Sequence, residues 1–379
     1  MTRTHLAMIG DATDPNTFGG IPWHLMRAGQ AAGVIDTGLP LVARGRIWSL
    51  RRALWTLGRL LRHGERGGYQ YGEAFQTRLW AQADIAPEDR LLNLFQLYPQ
   101  ALFDRHPGQK WFYVDQTLTQ LFDTYGVGAQ IGPRIAADAL ARERAQYHAA
   151  AGVIAQSDWA ARDIRMTYGV PADQVHMVLP GANIDPQALA AWEATHVPPV
   201  TAPGDPLKLV FVGKEWQRKG LDRLIGAAVI ARAQGARVEI TTIGIDRATV
   251  PQALADAPGV TWAGFIDKRR DLARFLDLVT ASDIGCLLSR AEAGGISLRE
   301  FVRLGLPTLA PLVGGSPEYV LPEASDLIAP QATDADIAAI LIARAAEVEA
   351  RTIRRRAAWA ARETASWDHT VRALAKVLQ

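Results

Sequence analysis

The sequence of 379 residues contains very little cysteine and no long apolar segment. Because Cys286 is its single cysteine, no internal disulfide can form, and we expect a reducing, cytoplasmic environment. The chain has no run of eighteen apolar residues, which excludes a membrane-spanning helix. Its first residues, MTRTHLAMIGDATD, predict a strand and lack the long apolar core of a secretory signal. The net charge of only +2 points to no class of partner.

Short apolar runs followed by amphipathic stretches recur along the whole chain, which is typical of parallel sheets with crossover helices. Helices are predicted after Gly20 and after Ser157, and over 218–234, 296–304 and roughly 351–378. The predicted strands cover 6–10, 91–95, 110–114, 152–156, 175–179, 207–213, 237–243, 259–264 and 283–288.

A proline-rich segment, THVPPVTAPGDP, divides this pattern and predicts a linker. We therefore predict an α/β protein with two Rossmann-like, doubly wound domains that face a central cleft, where ligands bind outside the carboxyl ends of the strands. No Gly-x-Gly-x-x-Gly follows the first strand or the strand at 207, which argues against a dinucleotide-dependent dehydrogenase. The predicted parts are a domain at 1–195, a linker at 196–206, a domain at 207–360, and a last helix at 361–379 that packs on its own domain or back on the first.

A glycine and a basic loop follow the strand predicted at 207–213. Gly213 allows a ligand to approach the backbone closely. Lys214, Arg218 and Lys219 supply three cations within six positions, which suits a diphosphate leaving group. A solvated basic loop before a surface helix is the equally compatible structural alternative.

Two glutamates flank the predicted start of a later helix. Glu292 lies in the loop after the last predicted strand, and Glu300 lies about one turn into the helix that begins near Ile296. Gly294 and Gly295 precede that helix, where free N–H groups and the helix dipole favour an anion. Such a carboxylate pair can hold sugar hydroxyls at the two ends of a nucleotide sugar. The alternative treats Glu300 as an exposed helix residue and Glu292 as a loop charge.

A third glycine turn, Gly314-Gly315, opens another predicted helix. Ser316 is expected as its N-cap and Pro317 in its first turn, so we prefer a structural role for Ser316, Pro317 and Glu318. The two glycines can still bring backbone close to the cleft.

Together these motifs resemble those of the family 4 retaining nucleotide-sugar glycosyltransferases, which have the two-domain GT-B fold. The likeness covers nearly the whole chain, is strongest from 207 to 320 and is weakest from about 36 to 90. Where the family has Glu-Gly-Phe-Gly, this chain has Glu-Ala-Gly-Gly at 292–295. The matching motifs are Gly213-Lys214, Lys219-Gly220, Glu292 and Glu300 with seven residues between them, Val313 to Glu318, Gly19-Gly20 with His24, Ser157, Leu179 to Asp185, and Ser366-Trp367-Asp368.

The resemblance implies a role for each matching residue on the donor side. Lys214 and Lys219 would bind the donor diphosphate, with Arg218 as a helper. Glu300 would hold the ribose hydroxyls and Glu292 the transferred sugar. The remaining donor-binding candidates are Gly19 and Gly20 at the phosphates, Phe265 near the base, and Gly294, Gly295 and Ile296 at the start of the helix.

The resemblance also implies the chemistry. No cofactor and no metal are expected, because lysines and helix dipoles take the part of a divalent ion. Retention is explained by front-face attack, in which the departing phosphate helps to take the acceptor proton. The catalytic candidates are Glu292, Lys219 and Asp115; the last stands where many members keep a histidine, and capping of the next helix is its structural alternative. His24 is expected to be a packed helix residue.

Residues 44–66 form a predicted basic helix with seven arginines and one acid. A simple surface helix explains its leucine stripe, but not two tryptophans among the arginines on the opposite face. Tryptophan between arginines suits an anionic membrane or a sugar acceptor, and packing against the same domain or a second subunit is the alternative. Nucleic acid is disfavoured because the cluster is confined to one helix. The stripe comprises Ile47, Leu50, Leu54, Leu57 and Leu61, and the opposite face comprises Trp48, Arg51, Arg52, Trp55, Arg59 and Arg62.

The sequence thus predicts a retaining, metal-independent hexosyltransferase. Its expected partners are a UDP- or GDP-sugar donor, a glycan or lipid-linked acceptor of cell-envelope polysaccharide or glycolipid synthesis, and an anionic membrane surface. The expected location is cytoplasmic, peripheral to the inner face of the plasma membrane. A non-catalytic sugar-nucleotide-binding partner and a GT-B epimerase remain the alternatives.

Overall fold

A computed structural model describes residues 2–196, 202 and 204–379. Contacts group the described residues into two units, one within 2–179 and 370–379 and the other within 180–369. Most of the linker predicted at 196–206, namely 197–201 and 203, lies outside the described residues.

The first unit is built on a parallel six-stranded sheet whose strands are almost entirely buried, as expected when helices cover both faces. Its strand order is β3-β1-β5-β6-β7-β8, and β2 and β4 form a small antiparallel pair beside it. The strands are β1 (Thr4–Ala7), β2 (Gly10–Asp11), β3 (Thr37–Gly38), β4 (Pro40–Leu41), β5 (Arg90–Asn93), β6 (Lys110–Val114), β7 (Gly152–Ala155) and β8 (Val175–Met177).

The helices of this unit have recognisable local start signals. Ser157 caps one of them by accepting from the Ala160 N–H, as its position in the sequence predicts. The helices are α1 (Ile21–Ala31), α2 (Arg46–His63), α3 (Glu73–Trp80), α4 (Gln100–Arg105), α5 (Leu118–Thr124), α6 (Pro133–Ala149) and α7 (Asp158–Met166).

The second unit begins with helix α8 (Pro186–Glu193) and then forms its own parallel six-stranded sheet. The strand order is β11-β10-β9-β12-β13-β14, which is a doubly wound arrangement. Strands β9 (Leu207–Val212), β10 (Val238–Ile243), β11 (Val260–Trp262), β12 (Ile284–Cys286), β13 (Thr308–Pro311) and β14 (Ser325–Ile328) alternate with helices α9 (Leu221–Ala233), α10 (Gln252–Ala255), α11 (Leu272–Thr280), α12 (Ile296–Arg303), α13 (Asp334–Ala346) and α14 (Val348–Ala361).

The prediction of an α/β chain with two Rossmann-like, doubly wound sheets is confirmed. The single helix predicted over 351–378 is wrong, because α14 ends at Ala361 and a new helix, α15 (Trp367–Val377), follows a 3-10 turn. The backbone carbonyl of Ala365 in this turn accepts from the N–H of Ala182, and the Ser366 hydroxyl accepts from the His369 N–H. These bonds stabilise the break and start α15.

A buried carboxyl group links α6 to the start of α5 and to the turn that follows α7. Glu143 of α6 accepts hydrogen bonds from the Leu118 N–H at 3.0 Å, from the Tyr147 hydroxyl at 2.8 Å and from the Tyr168 hydroxyl. Burial raises the pKa of Glu143 from its ordinary 4.5 to about 8, and this outweighs the hydrogen bonds that favour the charged form. The folded chain therefore keeps a proton that the unfolded chain releases.

Because the folded state holds this proton between pH 4.5 and about 8, Glu143 makes the free energy of unfolding fall as pH rises through that window. The Glu143→Gln variant cannot ionise, so we expect its melting temperature to fall less than that of the wild type between pH 5.5 and 8 in calorimetric scans. The exposed Glu349→Gln variant is the control and should follow the wild-type curve. Parallel curves for Glu143→Gln and wild type would contradict the assignment.

Candidate active site

The strand order of the second sheet creates a switch point. From β9 the chain adds strands on one side through β10 and β11, and then returns to add β12 on the other side. After β9 and after β12 the chain therefore continues toward opposite edges of the sheet. Doubly wound proteins bind their ligands at the carboxyl ends of two such strands. Both motifs that the sequence singled out lie in the loops that follow β9 and β12, at 213–220 and 289–295.

Backbone contacts hold the two loops against each other. The Leu288 N–H donates to the Lys219 carbonyl at 3.1 Å, and the Arg290 N–H donates to the Arg218 carbonyl at 2.8 Å. Gly220 is required at this junction, because its φ of +73° is left-handed and a Cβ there would clash with the Leu288 carbonyl. The pairing sets the direction in which the Arg218 and Lys219 side chains leave the loop.

These side chains converge on Glu292. Its Oε2 atom lies 3.2 Å from the Arg218 Nη1, 3.2 Å from the Lys219 Nζ and 3.1 Å from the Ser289 Oγ. The Glu292 carboxylate is buried, so the two cations offset the cost of removing its charge from water. Arg218 also donates to Glu215 at 2.6 Å and so holds the pKa of that carboxyl below its ordinary value.

A third loop, which follows β13, closes over the Glu292 segment. The Gly315 N–H donates to the Ala293 carbonyl at 2.8 Å, and a Cβ at Gly314 would clash with the Glu292 carbonyl. The prediction that Ser316 caps a helix is wrong. The segment Ser316–Tyr319 is a single 3-10 turn whose N-cap is Gly315, with no side-chain capping bond.

Helix α12 begins beside this cluster. Its N-cap, Gly295, has a φ of +89°, and its first N–H groups and positive dipole end face the loop that carries Glu292. Glu300 lies in the second turn and is only 2% exposed, so the alternative of an ordinary exposed helix residue is wrong.

The partner of Glu300 is a lysine that the sequence analysis missed. Lys268 forms an ion pair with the Glu300 Oε1 and donates to the Asn183 carbonyl at 3.0 Å. Asn183 in turn accepts from the Trp367 indole at 3.1 Å. The available signal was the basic run at 268–270, which follows the glycine and phenylalanine after β11 much as the basic loop follows β9.

Lys214 and Phe265 form a separate pair. The Lys214 Nζ lies 5.0 Å from the centroid of the Phe265 ring, and this ring is 66% exposed. The structure therefore places the Lys214 ammonium over an exposed aromatic ring, next to the half-buried Gly264.

The first unit carries the remaining donor candidates at the carboxyl edge of its own sheet. Gly19 and Gly20, with φ of +65° and +90°, end the turn after β2 and start α1. Phe18 also has a positive φ, 45°, and is exposed. Half-buried His24 packs edge-on against Trp23 at 4.7 Å between ring centroids, as expected for a packed helix residue.

Asp115 directly follows β6 and is half-buried. The alternative that it caps the next helix is wrong, because Thr117 caps α5 in a capping box with Gln120. Asp115 thus lies at the carboxyl edge of the sheet, and Thr117 takes the capping position of α5.

Helix α2 presents the reverse of the arrangement that a simple surface helix would have. Trp48 packs against Phe75 at 5.6 Å and Trp55 against Tyr69 at 5.3 Å between ring centroids, so both tryptophans face their own unit. Arg59 forms an ion pair with Glu65. Arg51, Arg52 and Arg62 are exposed, as is the entire leucine stripe, Ile47, Leu50, Leu54, Leu57 and Leu61. The tryptophans therefore pack within their own unit, which is the alternative that the sequence left open.

The described residues contain neither a cluster of metal ligands nor a helix suited to span a membrane. Within 2–196, 202 and 204–379, no group of three or more His, Cys, Asp or Glu side chains could hold a metal ion. Over the same part of the chain, no helix combines the length and the apolar character needed to cross a membrane.

Comparison with known proteins identifies relatives of part of the chain. Residues 206–346 match the model of the family Glycosyl transferases group 1. The amylovoran biosynthesis glycosyltransferase AmsK of Erwinia amylovora is 30% identical over 185 residues, which cover 46% of this chain and 42% of AmsK. A D-inositol 3-phosphate glycosyltransferase of Saccharomonospora viridis is 28% identical over 244 residues, 59% of this chain and 54% of that protein.

The chain thus spans about half the length of the curated relatives that it matches. Among solved structures, Anabaena HepE in complex with UDP and glucose has a TM-score of 0.62 and 17% identity, and the alignment covers 99% of each chain. This likeness extends over both units. The chain therefore has the GT-B fold, and its residues 206–346 are similar to the glycosyl transferases group 1.

Proposed function

We propose that this chain transfers a hexose from a nucleoside diphosphate sugar to an acceptor hydroxyl, with retention of the anomeric configuration and without a metal ion. The observation that carries this proposal is the convergence of Arg218 and Lys219 on Glu292, beside the start of α12 at the switch point of the second sheet. Two cations and a helix N-terminus at one point favour a diphosphate and stabilise the charge that develops on it as it leaves.

The diphosphate is assigned to Arg218 and Lys219. Both cations pair with Glu292, and Arg218 pairs with Glu215 as well. A diphosphate brings further negative charge to the same place, and the N–H groups at the start of α12 add donors without bringing a counter-charge. Glu292, held by Ser289, can then accept from the hydroxyls of the transferred sugar.

Glu300 is assigned to the ribose hydroxyls and Phe265 to the neighbourhood of the base. Lys268 fixes the carboxylate of Glu300 by pairing with one of its oxygens, which leaves the second oxygen to accept from a ribose hydroxyl. In this assignment Lys268 is a positioning residue rather than a donor ligand. The exposed ring of Phe265 offers a flat apolar surface for a base.

In the proposed reaction, the bond between the anomeric carbon and the diphosphate oxygen breaks, and the acceptor oxygen forms its bond on the same face of the sugar. The acceptor proton passes to the departing phosphate, so no enzymic nucleophile is required. The cations and the dipole of α12 stabilise the charge that develops on the diphosphate. Asp115 is the candidate for a group that orients the acceptor hydroxyl or the transferred sugar.

The relatives suggest where substrates should be sought. HepE binds UDP and glucose, so a UDP-hexose is the first donor to test, with GDP-hexoses next. AmsK takes part in amylovoran biosynthesis, and a second relative acts on D-inositol 3-phosphate. We therefore propose a glycan or lipid-linked acceptor of cell-envelope polysaccharide or glycolipid synthesis, used on the cytoplasmic side.

Removal of the Lys219 ammonium should weaken the binding of any ligand that carries a diphosphate. We expect Lys219→Ala to raise the dissociation constants of both UDP and inorganic pyrophosphate roughly tenfold to a hundredfold, the effect of losing one hydrogen bond to a charged group. Titration calorimetry measures both constants. Lys208→Ala, at the amino end of β9, is the matched control and should bind as the wild type does. Unchanged affinity in Lys219→Ala would remove the diphosphate assignment.

Changes at Glu300 should separate ribose recognition from phosphate recognition. Glu300→Ala and Lys268→Met should weaken UDP binding by roughly tenfold while the affinity for pyrophosphate stays close to that of the wild type. Glu239→Ala removes an exposed glutamate at the start of β10 and serves as the control. Equal losses for UDP and pyrophosphate in Glu300→Ala would assign this carboxylate to the phosphate loops instead of the ribose.

The stereochemical proposal is tested on the product. NMR of the product formed from the donor and an accepted glycan should show that the new linkage has the anomeric configuration of the donor. The rate of turnover should be unaffected by EDTA. An inverted linkage would contradict front-face transfer, and inhibition by EDTA would contradict metal independence. Conversion of the donor to an epimer without acceptor would instead indicate the epimerase alternative, and donor binding without any turnover would indicate a non-catalytic partner.

A further inference from the structure

Helix α2 turns a continuous apolar stripe to solvent. Five large side chains on this one helix are each between 51% and 76% exposed, a concentration that no other helix of the described chain shows. Their spacing alternates between three and four residues, so they lie on one face and extend roughly 20 Å along the helix. The stripe consists of Ile47, Leu50, Leu54, Leu57 and Leu61.

The opposite face of α2 determines this orientation. Trp48 is partly buried and packs on the core of the first unit, and Trp55 lies edge-on to Tyr69. The Arg59–Glu65 ion pair fixes the end of the helix on the same side. Rotating the stripe inward would require all three contacts to break, so its exposure is part of the fold.

The charge of α2 is of one sign. The helix contains five arginines and neither aspartate nor glutamate. At 100° per residue, Arg46 falls on one border of the stripe and Arg51 and Arg62 fall on the other, and all three are exposed. An apolar strip bordered by guanidinium groups on both sides is the pattern of a helix that lies in the plane of a membrane interface.

The charge also decides between two possible occupants of the stripe. Two copies of α2 packed stripe to stripe would bring the bordering arginines of both copies together, with no acid on either helix to offset them. An anionic lipid surface supplies acyl chains for the stripe and phosphates for the arginines at the same time. Of these two occupants, only the lipid surface complements both the apolar stripe and the arginines.

We propose that α2 docks the first unit on an anionic lipid bilayer, with its stripe inserted among the acyl chains and Arg46, Arg51 and Arg62 at the phosphate level. This interaction does not depend on the proposed transfer reaction. It reassigns the contact from Trp48, Trp55 and Arg59, which pack or pair within the protein, to the leucine stripe and the border arginines.

Vesicle flotation tests the stripe. The wild type should bind vesicles of phosphatidylcholine mixed with phosphatidylglycerol, and the combined variant Leu50→Gln, Leu54→Gln, Leu57→Gln should bind them at least tenfold more weakly, because three apolar insertions are lost. Replacing Arg46, Arg51 and Arg62 by Gln should lower the affinity for anionic vesicles by about fivefold per arginine. Unfolding is not expected in either variant, since every changed side chain is exposed, and melting curves check this.

The matched control replaces three exposed apolar residues outside α2, namely Val229, Leu327 and Ile353, by Gln and should bind anionic vesicles as the wild type does. Undiminished binding by the leucine variant would overturn the proposal. So would a wild type that ignores vesicles but sediments as a dimer which the leucine variant dissociates, because the occupant would then be a second copy.

Insertion depth can be read from a single labelled position. Leu54→Cys can be labelled selectively with an environment-sensitive fluorophore, since the only natural cysteine, Cys286, is buried. Fluorescence should rise and shift to the blue with anionic vesicles, whereas the same label at Val229→Cys should not respond. An unchanged spectrum at position 54 in protein that cofloats with vesicles would show that another surface makes the contact.

Discussion

The candidate site depends on one interaction, the pairing of the buried Glu292 carboxylate with Arg218 and Lys219. A buried carboxylate without cations would be too costly to keep, and two neighbouring cations without an acid would repel each other. The pair therefore holds the loop after β9 against the loop after β12, and the backbone bonds between Lys219 and Leu288 and between Arg218 and Arg290 strengthen the junction. A ligand that takes the place of Glu292 at these cations binds favourably only if it is an anion.

The same loops are where the doubly wound sheet leaves space for a ligand. Strand β9 lies at the centre of the strand order, and the chain moves away from it in both directions, so no crossover covers the loops at its carboxyl end. Helix α12 adds its N-terminal N–H groups there and carries Glu300 on its buried side. The Lys268 pair then connects Glu300 to Asn183 and through it to Trp367, so that parts of the chain far apart in sequence support one carboxylate.

Helix α2 shows how amphipathic patterning can mislead. The leucine stripe alone predicts the buried face of a surface helix, yet the structure buries the side that carries the tryptophans and one paired arginine. The two indoles pack edge-on against Phe75 and Tyr69, and the Arg59 charge is offset by Glu65. The spacing of apolar residues indicates that the two faces of the helix differ in polarity. Only the neighbouring side chains decide which face packs inward.

The sequence by itself determined the fold class, the strands and glycine turns of the second unit, and the residue types gathered at 213–220 and 289–300, because strand period, glycine and charge are local signals. It did not determine that Lys268 pairs with Glu300, that Ser316 lies in a single 3-10 turn, that the helix predicted over 351–378 breaks at 362–365, or that the α2 stripe faces solvent. Tertiary structure decided these points. Each rests on a contact between segments distant along the chain, such as the bond from Ala182 to Ala365, and no local pattern encodes such a contact.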